Sequence, residues 1–499
     1  MKKGLVYLIG AGPGDPELIT VKAMRALEEA DCIVYDYLAN PRLIERFTCE
    51  KIYAGKQGGN HTLAQDEISA LIVKKAREGK TVARLKGGDP FIFGRGGEEA
   101  EELVAAGIRF EVVPGVSSFY SAPAYAGIPL THRDFANAFE VITGHRRDDA
   151  ADDEDINFPE YDPDKTYAFL MGMKNIAHIA SKLVSEKRFP AATPVAVVNW
   201  GTTPRQRVAT GTLADIGEAV KREGLKPPAI ILVGGVVSLR ERLRWFDNLP
   251  LFGKKIVVTR TREQASALSL KLSRLGADVI EFPTIEIRPK RDMTALRDAL
   301  KNIAGFDWLV FTSQNAVGIF FGQLSALGLD GRALHGRKIA CIGPATAVEL
   351  EKYFIKADLL PKKFVAESLV KSMGAAGVRG ARVLLPCAQE ARDALRDGLV
   401  ALGAVVERIP VYDTARREKI SAEMIDAAES AHIVTFTSSS TAKNYFSIVH
   451  SSKALHACIG PVTADTVRQL GYGVDIEAGE YTIDGLVEAI VRYCGAADE

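Results

Sequence analysis

The residue types best suited to chemistry gather in Arg84-Leu85-Lys86-Gly87-Gly88-Asp89-Pro90-Phe91-Ile92-Phe93-Gly94-Arg95-Gly96-Gly97-Glu98-Glu99. Gly87 and Gly88 open backbone conformations closed to other residues and let a ligand lie against bare amides. Asp89 brings a carboxylate able to accept hydrogen bonds from a ligand's hydroxyl or amine. Pro90 stiffens the exit. A Gly-Gly-Asp-Pro run also makes an ordinary tight turn. Five glycines within residues 87–97, set between three basic residues and an acidic helix start, favour a small-molecule site. Two further stretches share this character, Gly10-Ala11-Gly12-Pro13-Gly14-Asp15 and Pro114-Gly115-Val116-Ser117-Ser118.

Each of the three needs a strand to deliver it. Leu5–Ile9, Thr81–Ala83 and Glu111–Val113 are short β-type runs directly upstream. A helix pattern over 20–30, with Val21, Met24 and Leu27 on one face, leads to a second strand, Cys32-Ile33-Val34-Tyr35-Asp36. This is a β-α-β unit with a glycine turn at the carboxyl end of its first strand. In a parallel sheet the three loops crowd one edge and line a pocket. A dinucleotide-binding enzyme is the rival reading. Asp36 stands near the distance at which such a fold places its ribose-binding acid, but the glycines run Gly-x-Gly-x-Gly. Pro13 also falls where a helix start must donate amides.

Composition narrows the classes. A chain of 499 residues is too long for one core; at roughly 100–200 residues per domain it holds three or four units. With 63 basic and 63 acidic residues it lacks the basic excess of a general nucleic-acid or membrane-surface binder. Six scattered cysteines form no CxxC pair, and the eight histidines show no metal-ligand spacing, so we expect a reducing cytoplasm and no metal. The first apolar run stops after five residues, too short for an export signal, and nothing approaches the ~20 apolar residues of a membrane helix. Residues 147–165 carry nine acids with Pro159 and Pro163 and read as an exposed loop. A boundary is expected near 248–253.

Residues 4 to about 245 closely resemble uroporphyrinogen-III C-methyltransferases of the tetrapyrrole methylase family. The resemblance rests on GAGPGD (10–15), VYD (34–36), RLKGGDPFIFGRGGEE (84–99), VPGVSS (113–118), GIPLTHR (127–133), ITGH (142–145) and NWGT (199–202). It implies an α/β fold of two lobes, about 1–115 and 116–248, binding S-adenosylmethionine between them and working as a homodimer. Carried over residue by residue, it implies a methyl-donor site at Pro13, Gly87, Gly88, Asp89, Ile92, Ser117, Ser118, Met171 and Gly201. Family members more often have Thr-Ala or Thr-Ser where this chain has Ser117-Ser118. The family's proposed proton acceptor falls on Asp36 and its proton donor on Lys56. Methylating a pyrrole β-carbon leaves a cation that must shed a proton, which gives a nearby carboxylate a task. Asp36 would otherwise cap a strand-end turn. Lys56 would supply a proton, anchor a substrate carboxylate, or remain a solvated side chain. A uroporphyrinogen carries eight carboxylates, and Arg84, Lys86, Arg95 and Arg133, with His132 and Lys174 nearby, form a cluster of cations suited to them.

The second half repeats itself. Leu275-Gly276-Ala277-Asp278-Val279 pairs with Leu402-Gly403-Ala404-Val405-Val406, Phe311-Thr312-Ser313 with Phe436-Thr437-Ser438, and Cys341-Ile342-Gly343-Pro344 with Cys458-Ile459-Gly460-Pro461, in the same order. Two copies mean two similar α/β lobes rather than a solenoid. Thr312, Ser313, Ser438 and Thr463 either hold substrate carboxylates or cap helices. Residues 253 to about 495 resemble uroporphyrinogen-III synthases, through VVTRT (257–261), FPTIEI (282–287), FTSQNAV (311–317), IGPATA (342–347), PVYDT (410–414), FTSSSTA (436–442), IGPVTA (459–464) and TIDGLV (482–487). That resemblance implies a two-lobed α/β fold joined by two extended crossings, 283–288 and 409–414. Lobe one would be about 253–287 plus 410–495, and lobe two about 288–409. The family's candidate for assisting hydroxyl loss from hydroxymethylbilane falls on Tyr412; the alternative is an interlobe packing tyrosine.

The expectation is therefore a bifunctional enzyme of tetrapyrrole synthesis. Its carboxyl half makes uroporphyrinogen III, and its amino half methylates it at C-2 and C-7 to precorrin-2, on the sirohaem and cobalamin branch. The alternative keeps the methyltransferase and makes the carboxyl half a non-catalytic tetrapyrrole binder.

Overall fold

The computed structural model describes residues 4–45, 47–55, 64–144, 156–259, 262–391, 393–416, 420–450 and 453–497. The chain divides into two units: Met1–Lys255 with Lys271–Asp278 and Val491–Glu499, and Ile256–Leu270 with Val279–Ile490. Residues 271–278 belong with the first unit because the Leu251 amide donates to the Leu275 carbonyl at 2.8 Å and the Asp278 amide to the Lys254 carbonyl at 2.9 Å.

The first unit holds ten strands: β1 (Leu5–Gly10), β2 (Cys32–Tyr35), β3 (Glu50–Tyr53), β4 (Val82–Lys86), β5 (Arg109–Val113), β6 (Ala138–Thr143), β7 (Lys165–Leu170), β8 (Pro194–Asn199), β9 (Arg207–Thr212) and β10 (Ala229–Val233). The first five form a wholly parallel sheet in the order β3-β2-β4-β1-β5. Helices cover both faces, so alternate residues of each strand enter different cores. Ile9, Ile33 and Leu85 meet the helix Val21–Glu28. Val6, Leu8, Val34 and Val82 meet the helices Gln65–Arg77 and Gly96–Ala105. The second sheet runs β6-β7-β10-β8-β9. There β10 is antiparallel to both β7 and β8, so those two end at the same edge.

The second unit carries β11 (Lys255–Val258), β12 (Asp278–Glu281), β13 (Ile285–Pro289), β14 (Trp308–Phe311), β15 (Lys338–Cys341), β16 (Arg382–Ala388), β17 (Val405–Arg416), β18 (Ile433–Phe436), β19 (Leu455–Cys458) and β20 (Ile476–Glu477). They form two sheets, β12-β11-β18-β19-β20 and β13-β17-β16-β14-β15. The internal repeat appears as two equivalent steps. In each, a strand ending Phe-Thr-Ser (β14, β18) lies parallel beside one ending in cysteine (β15, β19). The residues expected as crossings include β13 and the outer part of β17, which pair antiparallel from Ile285↔Arg416 to Pro289↔Tyr412.

Cys32, Cys341 and Cys458 are buried free thiols. Among the described residues no helix is long and apolar enough to cross a membrane, and no group of three His, Cys, Asp or Glu side chains could hold a metal ion.

Candidate functional site

The carboxyl ends of β1 and β4 are knitted together by backbone hydrogen bonds, and the β5 loop packs against both. The Ala11 amide donates to the Lys86 carbonyl at 2.7 Å, and Gly12 and Gly88 exchange hydrogen bonds of 2.7 and 3.2 Å. A Cβ on Gly10 would stand 2.5 Å from the Gly115 Cα, and one on Gly115 would run into the Gly88 carbonyl oxygen. Glycine is required at both positions because the three loops touch main chain to main chain. Gly88 itself has φ 66°, and the nearest atoms to a Cβ there are Ser117 Cα and Ser118 N at 3.9 Å. A Cβ there would make only ordinary contact, and with backbone atoms alone.

Asp89 is only 9% exposed and works inside this assembly. Its two carboxylate oxygens accept the Gly115 amide at 3.0 Å and the Phe91 amide at 2.8 Å. Each oxygen keeps acceptor capacity for a ligand, and the carboxylate also locks the β4 loop to the β5 loop. Beyond it Phe91, Ile92 and Phe93 are exposed. Ser117 is buried at the start of the helix Ser118–Tyr125.

The β1 loop also reaches the edge of the second sheet. The Asp15 amide donates to Thr202 Oγ1 at 3.1 Å, and Tyr125 Oη donates to Asp15 Oδ2 at 2.8 Å. A Cβ on Gly14 would lie 2.6 Å from Thr203 Cγ2. Pro13 is thereby brought near Gly201, itself packed so tightly on Ala122 that no Cβ would fit. Met171, Trp200 and Thr202 all have left-handed backbones, with φ of 58°, 47° and 68°. Such strain in non-glycine residues collects where function needs it. Met171, which follows β7, is also half exposed.

Asp36 follows β2 on the same edge as the glycine loops. Its Oδ1 accepts the Leu38 amide at 3.1 Å, forming the expected strand-end turn, and its Oδ2 lies 3.8 Å from Arg84 Nη2. Asp36 keeps a quarter of its side chain exposed. Lys56 lies outside the described residues, as do 147–155 of the acidic stretch.

Arg84 and Lys86 depart from expectation. Their side chains are 3% and 5% exposed, so they present no charge to a substrate. Strand alternation sets Val82, Arg84 and Lys86 on the face roofed by the helix Gly96–Ala105, where Glu99 meets them. Glu99 Oε1 accepts Lys86 Nζ at 2.8 Å, Arg84 Nε at 3.2 Å and Gln65 Nε2 at 2.9 Å. Burial pushes the Glu99 carboxyl up, but the Arg84 and Lys86 charges outweigh it and hold the group below the ordinary glutamate range. Burial, then the neighbouring Arg84, pushes the Lys86 ammonium down. The signal was present in the sequence: Arg-x-Lys on a strand buried on both faces demands an acid, and Glu99 is within reach. Arg95 is exposed and paired with Glu98 at 2.6 Å, and Arg133 is exposed.

In the second unit Tyr412 is 6% exposed, and its hydroxyl lies 2.9 Å from Ser313 Oγ. Burial raises the phenol above its usual pKa, against hydrogen bonds from Ser313 and Asn315. Ser313 also caps the helix Gln314–Ala326 through the Ala316 amide at 3.2 Å, and Ser438 caps Ser439–Phe446 through the Thr441 amide at 3.3 Å. Both hydroxyls thus serve as helix caps, while Thr312 is half-buried at the end of β14. Thr463 is 5% exposed in the first turn of the helix Pro461–Gln469, so its hydroxyl is turned inward rather than offered at a surface.

Residues 5–217 match the family model described as Tetrapyrrole (Corrin/Porphyrin) Methylases, and residues 266–488 the one described as Uroporphyrinogen-III synthase HemD. The sequence is 37% identical over 508 residues, 99% of each chain, to "Porphyrin biosynthesis protein HemD" of Ruminiclostridium josui. It is 43% identical over 360 residues, 70% of this chain and 72% of the relative, to "Uroporphyrinogen-III C-methyltransferase" of Bacillus subtilis (strain 168). A solved structure of uroporphyrin-III C-methyltransferase from Thermus thermophilus complexed with S-adenyl homocysteine is similar over 47% of this chain and 100% of that one, with 38% identity and a TM-score of 0.40.

Proposed function

Because the chain belongs to the porphyrin-biosynthesis family that fuses a tetrapyrrole methylase to a uroporphyrinogen-III synthase, we propose that it carries out both steps in sequence. It is a uroporphyrinogen-III C-methyltransferase and a uroporphyrinogen-III synthase. The carboxyl half, about 253–495, closes hydroxymethylbilane with inversion of its last ring. The amino half, 1–248, methylates the product at C-2 and C-7, giving precorrin-2 for sirohaem and cobalamin synthesis. It acts in the cytoplasm as a homodimer through the amino half.

One observation carries the methyltransferase reading: three main-chain loops, held by Asp89 and bare of side chains at Gly88, share a sheet edge with the Asp36 carboxylate. S-adenosylmethionine supplies an electrophilic methyl group when bound. Gly87 and Gly88 present amides to it, Asp89 accepts a hydrogen bond from it, and Pro13, Ile92, Ser117, Ser118, Met171 and Gly201 bound its volume. Asp36 accepts the proton that the methylated ring must lose. Arg95 and Arg133 meet the substrate carboxylates, and Lys56 anchors a carboxylate or supplies a proton. In the synthase half much of the chemistry is intrinsic to the substrate, so the protein holds geometry and excludes the wrong closure. Tyr412, a phenol that burial holds further from ionisation, donates a hydrogen bond to the departing hydroxyl. Thr312, Ser313 and Ser438 lie at the strand ends where substrate carboxylates would dock.

Labelled methyl transfer to supplied uroporphyrinogen III tests the first activity. Asp36→Asn is expected to slow transfer by about 10²-fold or more, to a measurable residual rate, while still binding S-adenosylhomocysteine; full transfer in that variant would remove Asp36 from the mechanism.

A further inference from the structure

Beneath the helix Gly96–Ala105 one buried carboxylate meets two buried cations. Glu99 is 1% exposed and faces two cations, Arg84 and Lys86, themselves almost fully buried. All three bonds to Glu99 fall on Oε1, and Oε2 has no hydrogen-bond partner among the described residues. One carboxylate cannot balance two cations in a low-dielectric interior. A second carboxylate, Asp36 at the ligand-facing edge, lies within ion-pair reach of Arg84.

The guanidinium of Arg84 is shared out accordingly. Its Nε is held by Glu99 at 3.2 Å and its Nη1 by the Leu85 carbonyl at 3.2 Å, which leaves Nη2 directed at Asp36 Oδ2, 3.8 Å away. Arginine alone combines a fixed fork with a charge that persists at every accessible pH. Asp36 Oδ1 accepts the Leu38 amide, and its Oδ2 lies within ion-pair reach of this cation. The four charges Glu99, Lys86, Arg84 and Asp36 sum to zero along a line from the helix Gly96–Ala105 to the end of β2.

We propose that Arg84 is a positioning residue that fixes the Asp36 carboxylate for proton removal, with Glu99 as its buried anchor. The proposal rests on Asp36 being the proton acceptor. It assigns Arg84 no contact with the substrate, so its loss acts on turnover and not on substrate affinity.

The test is a double-mutant cycle on the full chain with uroporphyrinogen III and labelled S-adenosylmethionine, read as single-turnover rates. Arg84→Met leaves Glu99 paired with Lys86 and Gln65, which keeps the interior balanced. It should lower kcat by about tenfold, the range for losing one charged orienting contact, with KM for uroporphyrinogen and the affinity for S-adenosylhomocysteine within about twofold. In the Asp36→Asn background the same substitution should change the rate by less than about twofold. Arg84→Lys is the second variant, for use should Arg84→Met fail to bind S-adenosylhomocysteine. Lysine keeps the charge but cannot fork to Glu99 and Asp36 together, so its rate should fall in the same direction. A wild-type rate in whichever variant binds, a rise in KM at unchanged kcat, or equal losses in both backgrounds would overturn the proposal. Full activity in Asp36→Asn alone would instead overturn the reading of Asp36.

Discussion

Glu99→Gln is the sharpest perturbation of the amino half. It keeps the shape of the side chain and removes the buried carboxylate that Arg84 and Lys86 share. Breaking a buried ion pair by deleting one partner typically costs about 3–5 kcal/mol, because the other charge is left uncompensated. Here two cations are stranded, and Arg84 already pushes the Lys86 ammonium down, after burial. The pH dependence has a definite sign. The folded-state Glu99 carboxyl lies below its ordinary value of 4.5. Its stabilisation is therefore present above that value and is lost as pH falls through the lower folded-state one. The stability gap between wild type and variant should be full at pH 7, shrink as the solution is acidified below about 4.5, and close once the wild-type acid is protonated. Urea unfolding, following the transition that S-adenosylhomocysteine raises, measures it. A gap below about 1 kcal/mol at pH 7, or one that widens on acidification, would refute the charge accounting.

Gly115→Ala drives a Cβ into the Gly88 carbonyl oxygen and should abolish S-adenosylhomocysteine binding in calorimetry without impairing the synthase reaction. Tyr412→Phe removes the hydroxyl beside Ser313 and should slow formation of uroporphyrinogen III at least tenfold, a loss of about 1.4 kcal/mol or more, on isomer-resolving chromatography. With burial raising that phenol's pKa, the wild-type synthase rate should show no loss from tyrosine ionisation between about pH 7 and 9. Ser438→Ala should cost about 1 kcal/mol of second-unit stability in urea through loss of the cap on the Thr441 amide.

Much of the architecture was legible because backbone needs show in residue type. Gly10, Gly88 and Gly115 marked the strand ends that meet main chain to main chain. The paired Phe-Thr-Ser and Gly-Pro motifs marked the two equivalent lobes, since each follows a strand and opens a helix. What escaped was direction. Sequence shows that Arg84 and Lys86 are cations near a ligand loop, but not that strand alternation turns them inward onto Glu99. Asp89 was recognisable as a functional carboxylate, yet its bond to the Gly115 amide joins loops 26 positions apart, a pairing no local pattern encodes. The same holds for Asp15 with Tyr125, joined over 110 positions. The boundary was placed by composition near 248–253, whereas the hydrogen bonds of Leu251 and Asp278 tie 271–278 to the first unit. Met171 carried a visible hint only through family likeness; its strain at φ 58° is a property of the folded backbone.

The most direct measurement supplies the full chain with hydroxymethylbilane and labelled S-adenosylmethionine and resolves the products by isomer and by methyl count. The account predicts a dimethylated type III product carrying two labels. Unlabelled uroporphyrinogen I, as the uncatalysed ring closure gives, would contradict both halves of it.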